Sequence, residues 1–398
     1  MNTEIQHQVD QLLLEQGEYL PLELLLQEGR LIYSDYEAWR NGEIDNLDKV
    51  IFGDPEQLSQ LLQHAARYLS QRGWLAESIS YTQWNNDAPK SLRFSLSTTL
   101  NNDFHLRYRK PEDQPQLDMF TDAPAVSLTN GIRQALIDRD IGEARRQIER
   151  LYDTAPDHGQ LGALEHLVEA AEMINRPVDD IASELQTLLH TLIPLAEGVM
   201  GSQGRNLLIP LWRRLSAALH DHPFQADQPE QHRSFTAIQA MDWNEAQQAI
   251  EQEDGWQQNA TLLQRHAVAA EHQHKTTTAL KSWFALCWQF PEQGDMLECS
   301  PRQDFLRQRH TFLDLEPELP TDFFPAWLLI IKPELTQQSL APSDAWITPP
   351  DSYCTLYPLL AQQPDDQAST SNDYIHLRAQ LKQQSATLFH HFLHNTAT

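Results

Sequence analysis

A chain of 398 residues has room for two or three domains, and its 40% apolar and 21% charged content excludes a wholly disordered polymer. The formal charge of −27 opposes phosphate backbones and anionic lipid, so the surface as a whole is not that of a nucleic-acid or membrane binder. Only 14 glycines, among abundant Gln, Leu and Ala, favour helices over a sandwich or barrel.

The first segment reads as short helices. TEIQHQVDQLLLEQG sets Ile5, Val9, Leu12 and Leu13 on one face, with Thr3 as cap and Gly17 as stop. It lacks the basic-then-apolar pattern of a signal peptide. PLELLLQEG restarts with Pro21 in a first-turn position, and SDYEAWRNG starts at a Ser34 cap. In DPEQLSQLLQHAARYLSQRG, Asp54 caps, Pro55 takes the first position and Gly73 follows the end. Leu58, Leu61, Leu62, Ala65 and Leu69 form its buried stripe.

The period then shortens to two. In SLRFSLSTTLNNDFHLRYRK, Leu92, Phe94 and Leu96 share a side, as do Phe104, Leu106 and Tyr108. Asn101, Asn102 and Asp103 supply a turn between them, which predicts a β-hairpin. ESISYTQW, at 77–84, offers a third strand, because a lone hairpin would not be stable. The same alternation puts Arg93, Arg107 and Arg109 on the opposite, solvated face, with Lys90 and Lys110 nearby. Arg93, Arg107, Arg109 and Lys110 are therefore candidate nucleic-acid contacts. The aromatics belong to the inner face, so pairing with the protein's own acids is the preferred reading of these cations.

PEDQPQLDMFTDAPAV, at 111–126, carries three prolines and four acids and reads as an extended linker. Beyond Ser127 the helical period returns, with an internal similarity. DIGEARRQIE (140–149) and DWNEAQQAIE (242–251) share Asp, Glu, Ala, Ile and Glu at matching positions. Each follows an apolar helix and precedes a Leu- and Ala-rich helix ending in Ala-Ala-Glu, at 170–172 and 269–271. Ala144 and Ala246 would allow close helix approach, and Ile148 and Ile250 would fill the groove. The arrangement is reminiscent of tetratricopeptide stacking, but its spacing and residue pattern differ from that family.

APSDAWITPPDSYCTLYPLLAQQPDDQASTSND reads as irregular. NDYIHLRAQLKQQSATLFHHFLHN then forms a last amphipathic helix burying Tyr374, Leu377, Leu381, Leu388 and Phe392. The predicted fold class is mainly α. A small α+β domain at 1–110, with helices and a two- or three-stranded antiparallel sheet, precedes the linker. An irregular helical array with an internal duplication follows at 127–340, then an irregular segment and helix at 341–398.

Chemistry is sparse. Cys287, Cys299 and Cys354 form no CxxC pair, which suits reduced thiols and a cytoplasmic protein. The longest apolar run, FFPAWLLII, is about half the length of a membrane span. Among 17 histidines, His390 and His394 stand four apart and His272 and His274 form an HxH pair. No Glu completes an HExxH, so no metal site is expected. Cys287 lies in the apolar stretch WFALCWQFPE, where burial dulls a thiol. No GxSxG, P-loop or GxGxxG is present, no catalytic residue stands out and no cofactor is expected.

Gln116-Leu117-Asp118-Met119-Phe120 resembles the pentapeptide by which bacterial replication and repair proteins dock on the β sliding clamp. That pattern is Gln-Leu, then Ser or Asp, then Leu, then Phe; Met119 replaces the usual Leu, a flexible apolar filler for another. The resemblance covers five residues and implies nothing about the fold. It implies that Leu117 and Phe120 enter apolar subsites, that Gln116 hydrogen-bonds the rim, that Met119 helps fill and that Asp118 faces solvent. The expectation is a non-enzymatic protein-interaction adaptor, touching nucleic acid only indirectly or weakly. Two alternatives stand beside it. One is an enzyme or nucleic-acid processing factor whose site forms only in three dimensions. The other is a helical scaffold with a concave partner surface.

Overall fold

A computed structural model describes residues 2–84, 90–110, 123–361 and 372–396. The fold is mainly α, with a small α+β region near the N-terminus. Two compact units divide it: 1–222 with 239–242, and 223–238 with 243–398.

In the first unit, α1 (Asn2–Gln16), α2 (Pro21–Gln27), α3 (Tyr33–Arg40), α4 (Pro55–Gln71) and α5 (Thr98–Phe104) surround three short strands. As expected, Ile5, Val9 and Leu12 are buried along α1, and Gly17 follows it in a left-handed conformation (φ 69°). Asp54 caps α4 by accepting from Glu56 N, and Leu58, Leu61, Leu62, Ala65 and Leu69 are its buried residues. Ser34 is not a cap: Ile32 occupies that position, without a side-chain bond, and α3 starts at Tyr33.

The strands β1 (Glu18–Tyr19), β2 (Leu75–Ser78) and β3 (Leu106–Arg109) form an antiparallel sheet in the order β1-β3-β2. The expected 92–108 hairpin is absent. Ser97 caps α5, and its side chain accepts from Leu100 N, so the Asn101–Asp103 cluster is helical instead of a turn. Asn101 Oδ1 then accepts Phe94 N at 2.9 Å, tying the extended 92–96 stretch to α5, and Phe94 stacks on Phe104 with ring centres 3.4 Å apart. Leu92 and Phe94 are buried but Leu96 is exposed. The partner of β3 on that side is β2, where Ala76 faces Tyr108 and Glu77 faces Arg107.

Helices α6 (Ala123–Ile137), α7 (Ile141–Thr154), α8 (Leu161–Met173), α9 (Ile181–Thr187), α10 (Ile193–Met200) and α11 (Arg205–Ala218) complete the first unit. The unit does not break at 111–126 as the sequence suggested, because buried polar bonds span that point. Arg205 reaches Glu23 at 2.6 Å, Arg139 reaches Glu37 at 2.7 Å, and Tyr33 donates to Asn206 at 2.7 Å. Helix α6 also begins inside the expected linker, at Ala123.

The second unit holds α12 (Arg233–Gln239), α13 (Trp243–Glu251), α14 (Ala260–His272), α15 (Thr276–Gln289), α16 (Gln303–Leu313), α17 (Phe324–Ile331), α18 (Asp351–Ala361), α19 (Asn372–Gln384) and α20 (Ala386–Thr396). Trp283, Phe284, Cys287, Phe305, Phe312, Phe324 and Trp327 centre its core. Helix α18 lies where irregular chain was expected; it buries Tyr353, Leu356 and Leu359 at helical spacing despite Pro358. The expected single last helix breaks at Ser385, whose Oγ accepts Leu388 N at 3.1 Å and so starts α20.

The two similar sequences are both helices, α7 and α13. Ala144, Ile148, Ala246 and Ile250 are all buried, and each helix follows a left-handed non-glycine residue, Arg139 (φ 58°) or Met241 (φ 57°). The aspartates differ. Asp140 caps α7 by accepting from Glu143 N, whereas Asp242 grips Arg213.

Candidate functional site: docking segment and charged clusters

Gln116, Leu117, Asp118, Met119 and Phe120 lie outside the described residues. The described chain on either side ends with Lys110, one residue past β3, and resumes with α6 at Ala123.

The four candidate cations do not form one open face. Arg107 and Arg109 project from β3 and meet acids on the flanking strands: Arg107 donates to Glu77 at 2.6 Å, and Arg109 donates to Glu18 at 2.9 Å. Glu77 and Glu18 face these arginines across the sheet, so the ion pairs also favour the register. Exposed Glu77 is held below its ordinary carboxylate range by the hydrogen bond from Arg107. Arg93 turns instead to the carbonyls of Ser95 and Leu96, both at 2.7 Å. Lys110 is exposed. The alternation placed Arg93 with the others only because it assumed a strand that α5 displaces.

A half-buried ion network in the first unit was invisible to motif reading. Glu37, on α3, accepts from Arg139 and from Arg213, and Arg213 also grips Asp242 through two bonds of 2.7 and 2.8 Å. Burial acts to lower the Arg213 pKa, but Asp242 and Glu37 outweigh it and hold the guanidinium above its ordinary value. Arg139 lies over the Trp84 ring at 4.2 Å. Beside this network, α8's end and α11 line an open cleft of about 680 Å³ with Arg139, Arg176, Arg213, Arg214, Ile174 and Pro210 among its walls. Arg214 is paired to Glu184, while Arg176 is exposed.

In the second unit, two Ser–His–Glu relays meet the end of α13. His266 Nδ1 lies 2.9 Å from Ser282 Oγ, and its Nε2 lies 3.0 Å from Glu251 Oε1. His232 Nδ1 lies 2.8 Å from Ser234 Oγ, and its Nε2 lies 3.3 Å from Glu253 Oε1. Nucleophilic catalysis needs the serine to face a substrate. Ser282 and Ser234 are fully enclosed, and Trp256 stacks on His266 at 4.4 Å. Both serines are therefore closed to a substrate, and these hydrogen bonds satisfy buried polar groups within the core. The Cys287 thiol is likewise enclosed, and burial pushes it up to about 12. Residues 251, 266 and 282 are too far apart in sequence to read as a motif.

These histidines set a pH dependence. Burial lowers His266 and His232 despite their glutamates, and burial with neighbouring His274 drives His272, stacked on Trp243, down to about 4. In the unfolded chain each imidazole takes a proton near ~6.5. The unfolded state thus binds more protons as pH falls, so this stabilisation is complete above ~6.5 and is lost toward about 4. Urea midpoints of the full chain should fall across that window, and His272→Phe should make the fall shallower. Midpoints that stay level there would refute this account.

No helix among the described residues is long and apolar enough to cross a membrane. The chain matches no family model, no curated protein and no solved structure.

Proposed function

We propose that the chain is a non-enzymatic protein-interaction adaptor that docks on the bacterial β sliding clamp, as an accessory of DNA replication or repair. The observation that carries this reading is the pentapeptide Gln116-Leu117-Asp118-Met119-Phe120, set in an acidic, proline-bounded stretch between β3 and α6. Burying Leu117 and Phe120 in a partner groove contributes roughly 1.5–3 kcal/mol each, partly offset by ordering the peptide, which leaves binding of about micromolar strength. Pro115 limits that ordering cost by favouring an extended backbone. The engagement of Arg107 and Arg109 with Glu77 and Glu18 supports a protein partner over a nucleic acid.

The test is a fluorescence-polarisation titration of purified clamp against labelled full-length chain, beside a 112–122 peptide. Both should bind, and Leu117→Ala with Phe120→Ala should abolish binding. No binding at about 100 μM clamp, or undiminished binding by the double variant, removes the proposal. A second reading, a helical scaffold with an acidic partner, is favoured by the arginine-lined cleft. It gains if the double variant keeps its partner while Arg176→Glu loses it.

A further inference from the structure

Helix α20 is held at two places that fix which way it faces. Ser385 accepts Leu388 N at 3.1 Å and sets the start of the helix. Leu388 and Phe392, one turn apart, are 0% and 1% exposed in the core of the second unit. His390 and His394 repeat the same four-residue spacing about half a turn away, so both stand on the exposed side. Their Nε2 atoms converge to 3.1 Å, with ring centres 4.4 Å apart.

We propose that His390 and His394 form a binding site for one divalent cation of the Zn²⁺, Ni²⁺ or Cu²⁺ class. Metal–imidazole bonds of about 2.0–2.1 Å put two nitrogens of one coordination shell about 2.9–3.4 Å apart, from octahedral to tetrahedral angles. The 3.1 Å separation falls within that interval. Imidazole pairs suit these metals, whereas Mg²⁺ and Ca²⁺ require oxygen donors. The site also lies toward the C-terminal end of α20, where the unpaired carbonyls and helix dipole favour positive charge.

The anchoring of Leu388 and Phe392 means that little conformational freedom is lost on binding. With no ion, one imidazole donates an N–H to the other. With an ion, both Nε2 lone pairs turn to it and both rings carry their proton on Nδ1. Among the described residues no third His, Cys, Asp or Glu joins the pair, so water completes the shell. That composition defines an exchangeable site, unlike the closed four-ligand sites that hold a fold together.

The test uses the full-length chain stripped with a chelator and titrated calorimetrically with NiCl₂ or ZnSO₄ near neutral pH, and separately with MgCl₂. His390→Gln and His394→Gln should each weaken one binding event by about tenfold or more, since loss of even an outer-shell partner costs that much. His376→Gln, an exposed histidine on α19, should leave it unchanged. MgCl₂ should give no such event in the unaltered chain, an arm that needs no variant. Absence of any event at about 100 μM NiCl₂ or ZnSO₄, undiminished affinity in the His390 and His394 variants, or an equal event with MgCl₂ overturns the site.

Discussion

Glu37→Ala is expected to destabilise the first unit by about 2–4 kcal/mol, below the cost of breaking a fully enclosed ion pair because the Arg213 side chain is 33% exposed. Glu37 is 8% exposed and takes Arg139 on one oxygen and Arg213 on the other. Arg213 would keep Asp242, and Arg139 would keep the Asn206 carbonyl at 2.9 Å and the Trp84 face, which points to the lower end of that range. Glu37→Gln retains an acceptor and should fall between the two. Urea unfolding followed by hydrogen exchange of α3 and α7 amides would measure it. A loss under about 1 kcal/mol would mean that the network behaves like solvent-exposed pairs.

The second large effect belongs to the other unit. Trp283 is fully buried, stacks on Phe305 with centres 5.8 Å apart, and donates Nε1 to Glu271 Oε1 at 3.1 Å. Trp283→Ala should cost about 3–5 kcal/mol from the cavity, with a further contribution because a buried acceptor is stranded. Burial raises Glu271's pKa, and the hydrogen bonds from Ser300 and Trp283 restrain that rise. Losing the indole removes one restraint and raises Glu271 further; a carboxyl held above its unfolded value is relieved by protonation, so the deficit of the variant should shrink as pH falls through the acid range. Trp283→Phe keeps most of the packing and should recover much of the loss in guanidine melts. Equal losses for Ala and Phe would show that the hydrogen bond, not the packing, dominates.

Helix existence was legible wherever cap, stripe and stop coincided. In α4, Asp54, Pro55 and the Leu58–Leu69 stripe all point the same way, and the structure follows them. The 92–108 region misled because period-two alternation cannot distinguish a ladder strand from extended chain beside a helix; Ser97 as cap decided the outcome. Helix α18 was missed because prolines at 349, 350 and 358 read as breakers, although Pro349 and Pro350 lie before it and the apolar face offsets Pro358. Metal-ligand spacing on α20 could be seen as i and i+4, but not that two nitrogens converge. Glu37, Arg139, Arg213 and Asp242 are spread over more than two hundred positions, and no local pattern joins them.

Arg139 draws two of these threads together. A non-glycine residue at φ 58° carries roughly 1–2 kcal/mol of steric penalty, which glycine would avoid. From that backbone position its guanidinium reaches Glu37 and the Asn206 carbonyl, so the corner between α6 and α7 also carries two tethers. Glycine there would remove the steric penalty and cut both tethers in one change. Backbone strain and side-chain bonds thus meet in one residue, and a substitution there changes both together.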